Sequence, residues 1–127
     1  MTIKTAQLVS LAVAAAVIAP TAAVATVKDP QSDAAMRKAI RGYAKAKTMK
    51  ASHMAVDCVQ ADEISSTRPC SGTFRLTRGG KTAHYRLTAK SDTFRNSPGT
   101  IVSNLNAVAT KKAPGMPKTV KWGAILQ

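Results

Sequence analysis

The chain has 127 residues and is strongly basic, with 19 lysine and arginine residues, 6 aspartate and glutamate residues and a formal net charge of +13. This length fits one small domain, and the sequence contains no internal repeat or low-complexity tail that would indicate a solenoid or a disordered chain. The charge predicts attraction to anionic surfaces. With only five aromatic residues in the chain, recognition of nucleic acid by base stacking is a poor fit.

The first 25 residues have the pattern of a secretory signal peptide. Lys4 precedes an uncharged, mainly apolar stretch over 5–27, and Ala23-Val24-Ala25 places small residues at the positions that a signal peptidase reads. We predict cleavage after Ala25, which leaves a single domain of residues 26–127, secreted or periplasmic, with a charge of +12 because Lys4 is removed. An uncleaved anchor is the alternative, since a span needs about 20 apolar residues, but the stretch is dominated by weakly inserting alanine.

The two cysteines, Cys58 and Cys70, are separated by eleven residues. In an oxidising compartment a lone pair at this spacing predicts a structural disulfide. A redox motif would have the C-x-x-C spacing, and a zinc site would need more ligands. Closing this loop is expected to stabilise the domain by about 2–3 kcal/mol.

Three of the six carboxylates lie close together, at Asp57, Asp62 and Glu63. Clustered carboxylates bind calcium in some proteins, but this spacing does not match an EF-hand loop. We interpret the cluster as a solvated acidic patch and expect neither a metal ion nor a cofactor.

Residues 31–49 are predicted to form an amphipathic helix. Its apolar stripe has helical spacing and consists of Met36, Ile40, Tyr43 and Ala44. A parallel basic stripe consists of Arg37, Arg41 and Lys45. Ser32 or Asp33 is predicted to cap the first turn. A basic amphipathic helix can lie on a membrane, but a narrow stripe without aromatics favours packing against a core.

A short strand is predicted over 54–59, with Val56 and Cys58 on one face, and a β-hairpin follows the second cysteine. Two alternating runs, 73–78 and 81–88, are joined by Gly79-Gly80, which is typical of a two-residue hairpin turn. The register that this turn sets puts five apolar residues on the core face: Phe74, Leu76, Ala83, Tyr85 and Leu87. It puts a polar and positive set on the other face: Thr73, Arg75, Thr77, Thr82, His84, Arg86 and Thr88.

The pattern is less decisive after the hairpin. Residues 89–94 extend the strand or form a turn, and 100–112 combine helical spacing with β-branched residues, so that helix and strand both stay open. Residues 119–126 are predicted to form a final strand with Val120, Trp122 and Ala124 inward. The simplest arrangement is an α+β fold, with one N-terminal amphipathic helix packed on a small antiparallel sheet and stapled by one disulfide.

The segment over 32–89 resembles small exported actinobacterial domains of unknown function. The similarity is carried by Val56-Asp57-Cys58, Pro69-Cys70 and the two hairpin runs around Phe74-Arg75-Leu76 and Tyr85-Arg86-Leu87. It implies a helix on a sheet stapled by two cysteines and an exported location, and it implies no activity. The tail over 91–127 lies outside the resemblance, and the lipobox found in many such domains is missing.

No sequence motif for catalysis is present: G-x-S-x-G, H-E-x-x-H and a phosphate-binding glycine loop are all missing. We therefore predict a secreted, non-enzymatic module for an anionic partner, either an anionic polymer or an acidic protein surface. The predicted ligand-binding residues are Arg75, His84 and Arg86, because arginines on a rigid sheet suit carboxylates and phosphates.

Two alternative functions stay open. The first is a small basic hydrolase, most plausibly a nuclease, in which His53 and His84 flank one phosphate as acid and base. The second is a membrane-active cationic protein that acts through the helix.

Overall fold

The computed structural model describes residues 27–60 and 66–126, which form one helix packed on a seven-stranded antiparallel sheet. In chain order the elements are β1 (Val27–Lys28), α1 (Pro30–Ala46), β2 (Lys50–Gln60), β3 (Thr67–Arg78), β4 (Lys81–Leu87), β5 (Asp92–Ser97), β6 (Thr100–Lys111) and β7 (Thr119–Leu126). The predicted combination of one helix, an antiparallel sheet and one disulfide is confirmed. The sheet is larger than predicted, and β1 precedes the helix. The predicted signal peptide lies outside the described residues, among which no helix has the length and apolarity needed to cross a membrane.

The sheet is organised around β3 and β6, its two longest strands. Between them β4 and β5 lie end to end: β4 pairs with the C-terminal parts of both long strands, and β5 pairs with their N-terminal parts. Outside β3 lies β2, which also pairs with β1, and outside β6 lies β7. The connection between β4 and β5 is anchored by Ser91, whose carbonyl accepts a hydrogen bond of 2.9 Å from the amide of Cys70.

The segment whose helix or strand character was open is a strand, β6. Its inward residues alternate along the chain and are Ile101, Ser103, Leu105 and Ala107, all buried. Residues 92–97 form the separate strand β5, which begins within the region 89–94 that the sequence left open between strand extension and turn and continues beyond it. The predicted final strand is confirmed as β7, with Val120 buried and Trp122 and Ala124 packed against the core.

The helix begins and ends earlier than predicted. Asp29, and not Ser32 or Asp33, caps it: the Asp29 carboxylate accepts hydrogen bonds from the amides of Gln31 and Ser32 at 3.2 and 3.3 Å, and Pro30 occupies the first turn. Asp33 accepts a bond of 2.6 Å from the amide of Cys58 and so ties the helix to β2. The helix ends before Thr48, which has a φ of 60°.

The core lies between α1 and one face of the sheet. All four residues of the predicted apolar stripe of the helix are buried there, together with the five predicted core residues of the hairpin. Phe74 and Tyr85 stack with ring centroids 5.3 Å apart, and Tyr43 meets Trp122 edge to face at 5.9 Å. The predicted disulfide between Cys58 and Cys70 is formed and joins β2 to β3.

The hairpin has the predicted register. Residues paired across its strands include Phe74 with Tyr85, Arg75 with His84, and Thr73 with Arg86. The residues of its predicted polar set that lie within β3 and β4, all but Thr88, are therefore on the face of the sheet away from α1, which we call the outer face.

Candidate anion-binding site

The candidate site lies on the outer face around the pair of Arg75 and His84. Arg75 in β3 is opposite Ser52 of β2 on one side and His84 of β4 on the other, and His84 is in turn opposite Lys111 of β6. Since directly paired residues share a face of the sheet, this register places Arg75, His84 and Lys111 in one row that crosses three strands.

Two β-bulges flank this row. In β2 the pairing with β3 shifts between Ser52 and Ala55, so that β2 has one more residue than its partner there. In β6 the pairing with β4 shifts next to His84, and Thr110 is the additional residue. A bulge bends its strand and changes the direction of a side chain, and bulges are frequent beside functional sites.

The bulge in β2 depends on Gly72 and His53. Gly72 has a φ of 143°, and a Cβ on it would lie 1.9 Å from the backbone oxygen of Ala55. Only glycine allows β2 to approach so closely. His53 has a φ of 50°, a left-handed conformation that is uncommon for residues other than glycine. The fold thus holds His53 in a strained conformation, which costs about 1–2 kcal/mol.

A cavity of about 200 Å³ opens between the two bulges. Its polar lining comes from four strands and consists of His53, Thr73, Arg75, His84 and Thr110. Phe74 and Tyr85 complete the lining. The bulge positions His53 and Thr110 therefore both contribute to the cavity that contains Arg75 and His84.

The charge around His84 favours its neutral form. Desolvation lowers the pKa of His84, and the positive charges of Arg75 and Lys111, together with His53, lower it further. An anion in the cavity would reverse the electrostatic part of this effect, because a nearby negative charge stabilises imidazolium. Binding of an anion there would therefore be coupled to proton uptake by His84.

The described carboxylates all lie at the other end of the sheet, which carries the disulfide. Asp29 is paired with Arg68 at 3.2 Å, and Lys28 lies within 4 Å of both Asp33 and Asp57. Asp92, opposite Pro69 in the register, accepts a hydrogen bond from Asn104. Asp62 and Glu63 of the predicted acidic patch lie outside the described residues. Within 27–60 and 66–126, no three metal-ligating side chains come together.

The opposite end of the sheet, around the hairpin turn, carries cations and none of the described carboxylates. We call this the hairpin end, and its basic residues include Lys50, Arg75, Arg78, Lys81, Arg86 and Lys111. Of these, Arg78 is held in place by bonds to the carbonyls of Lys47 and Gly115 at 3.1 and 2.8 Å.

The three predicted ligand residues are only partly brought together. Arg75 and His84 line the cavity. Arg86 is exposed on the same face, opposite Thr73 and Val108, and stays outside the lining. His53 is not among the ligand residues predicted from the sequence, and neither is Thr110. Both are bulge residues, and a bulge leaves no signal in the alternation of a single strand.

Comparisons with known protein families, with curated proteins and with solved structures found no match for this chain.

Proposed function

We propose that the protein is an exported, non-enzymatic module that binds an anionic partner at the cell envelope or outside the cell through its hairpin end. The observation that carries the proposal is the cavity in which Arg75 and His84 meet, on a part of the outer face without described carboxylates. A guanidinium on a rigid strand keeps its donors aligned for carboxylate or phosphate oxygens. The export pattern and the disulfide support a location outside the cytoplasm.

The first test is retention of the purified protein on anionic polymers at about 0.05 M and about 0.15 M salt. At the higher concentration the electrostatic screening length is about 8 Å. The panel contains a teichoic-acid-bearing cell wall, heparin, RNA and anionic liposomes. Tight binding to one polymer that persists at the higher salt supports a specific module. Equal binding to all four that disappears at the higher salt contradicts the proposal.

A double substitution identifies the surface that binds. Arg75→Gln with Arg86→Gln should lower the affinity for the retained polymer and reduce the slope of log affinity against log salt by about one to two, since each lost ion contact reduces it by about 0.9. The matched control is Lys90→Gln with Arg95→Gln, which removes the same charge from exposed residues away from the hairpin end. An equal loss in both variants would mean that net charge alone drives retention.

Cleavage of RNA is the second candidate function, and the shared cavity of His53 and His84 favours it. In such a reaction one imidazole takes the proton of the ribose 2′-hydroxyl, the 2′-oxygen attacks phosphorus, and the other imidazole protonates the departing 5′-oxygen. RNA recovered from the retention experiment answers this question. Fragments with cyclic phosphate ends that are lost in His84→Gln would support cleavage, and intact RNA excludes it.

The structure offers no support for a membrane-active helix. The apolar residues of α1 are buried against the sheet, so that a membrane could reach them only if the domain opened.

A further inference from the structure

We propose that the cavity between the two bulges binds a terminal phosphate group, as in inorganic phosphate or a phosphomonoester, through Arg75, His53 and His84. This inference rests on the proposed function, because it names the chemical group that the anion-binding surface recognises.

The first argument is the number and arrangement of donors. Arg75, His53 and His84 reach one cavity from three different strands, so three separate side chains can donate to one ligand. A carboxylate is planar and has two oxygens, which one guanidinium can satisfy. A terminal phosphate has three free oxygens on a tetrahedral atom and can accept from three separate donors. The phosphodiester of a polymer leaves only two.

The second argument is the local charge. The residues that face His84 are Arg75 from β3, Lys111 from β6 and His53 from β2, and none of them is acidic. Thr73 also lines the cavity as a neutral polar residue, while the Thr110 hydroxyl donates to the carbonyl of His84 at 3.4 Å. A doubly charged anion therefore enters a site of positive potential, and the proton that His84 takes up adds one more positive charge.

The third argument is the strain at His53. His53 has a left-handed backbone conformation. Glycine would adopt this conformation without strain, yet the chain has a histidine here. Strain that persists beside a cavity indicates that the side chain there serves the cavity. If so, His53→Gly should leave the fold at least as stable and should weaken phosphate binding.

The test is a titration of the purified protein followed through the imidazole signals of His53 and His84 by NMR, at constant ionic strength. The arms are inorganic phosphate, a phosphomonoester, a phosphodiester, acetate and chloride. We expect saturable shifts of both histidines with the first two, a rise in the apparent pKa of His84 on saturation, and weaker or no saturation with the others.

Variants then separate the site from the overall charge. Arg75→Gln should lower the phosphate affinity about tenfold or more, because it removes charge-assisted hydrogen bonds. His53→Gly should lower it several-fold without loss of stability, and His53→Asn, which tolerates the same backbone conformation and keeps a donor, should retain part of it. Lys45→Gln removes one positive charge, as Arg75→Gln does, and serves as the control. It should leave the phosphate affinity unchanged.

Shifts that are linear, equal to those in chloride and insensitive to Arg75→Gln would overturn the inference. Tighter binding of acetate or of the diester would overturn the assignment to a terminal phosphate. Neither result affects the retention of the protein on anionic polymers, which tests the proposed function separately. Loss of polymer retention with intact phosphate binding would reject the proposed partner and keep the site.

Discussion

At the scale of single residues, Gly72 and His53 show how a sheet acquires a cavity. The backbone oxygen of Ala55 occupies the space that a side chain at position 72 would need, and His53 absorbs the resulting turn of the chain. Neither residue is part of a regular strand pattern. The bulge combines the close approach of Gly72 to the backbone of Ala55 with the left-handed conformation of His53.

We expect Gly72→Ala to destabilise the protein by about 2 kcal/mol or more, because the new Cβ would both collide with Ala55 and force a rare backbone conformation on alanine. Urea denaturation measures the change. Gly79→Ala is the control, since Gly79 also has a positive φ, 59°, but has nothing within 4 Å of its Cβ position. A cost for Gly72→Ala no greater than that for Gly79→Ala would show that β2 moves away without penalty.

At the scale of elements, a helix or strand could be predicted when the residues that determine it lie within that element or next to it in the sequence. The hairpin register follows from Gly79-Gly80 and two alternating runs, and the structure has that register. In contrast, β6 was undecided because two of its inward positions are Ser103 and Ala107, so that polarity does not alternate although burial does. The β2 bulge was missed because its cause, Gly72, lies in another strand.

The start of α1 also has a local signal in the sequence, and the prediction of Ser32 or Asp33 as its cap is wrong. Asp29 followed by Pro30 is a cap followed by a residue with a preset helical φ, which is a stronger start than Ser32 or Asp33. The capping carboxylate also meets Arg68 of β3 at 3.2 Å. One side chain thus fixes both the first turn of the helix and the distance of that turn from the sheet.

The charge of Asp29 should make stability depend on acidity. Burial raises the pKa of Asp29, but hydrogen bonds from Ser32, Arg68 and Gln31 together lower it below the ordinary value of 3.8. Between the two pKa values of Asp29, the folded state binds fewer protons than the unfolded state. The stabilisation that the Asp29 carboxylate provides is therefore complete above about pH 4 and is lost as the pH falls through the folded pKa.

The variant Asp29→Asn keeps a capping oxygen and removes the charge. We expect it to be less stable than the wild type by about 1 kcal/mol at pH 7 and to lose less stability between pH 4 and pH 2. Urea denaturation across this pH range measures both effects. Parallel losses in the two proteins would mean that other carboxylates dominate the acid sensitivity.

At the scale of the whole molecule, the disulfide joins β2 to β3 at the end of the sheet where α1 begins. Cys58 accepts a hydrogen bond at its carbonyl from Asp29 and donates its amide to Asp33, while Cys70 bonds to Ser91. Through these bonds one covalent link between β2 and β3 is connected to the start of α1 and to the junction of β4 and β5.

Replacement of both cysteines, Cys58→Ala with Cys70→Ala, should lower the free energy of unfolding by about 3 kcal/mol, mainly because the unfolded chain gains the freedom of the loop. Denaturation of the variant and of the wild type under reducing conditions should give similar midpoints. A variant as stable as the oxidised wild type would show that the hydrogen bonds at this end suffice without the covalent link.

The four described carboxylates at the disulfide end lie among cations such as Lys28 and Arg68, whereas the cations of the hairpin end have no described carboxylate beside them, so positive charge is distributed unevenly along β3. In the field of an anionic surface such a body experiences a torque before any contact is made. The field turns the hairpin end toward the surface and the disulfide end toward the solvent. Encounters with such a surface therefore favour the orientation in which the hairpin end approaches first, and the cavity with Arg75 and His84 then faces the surface.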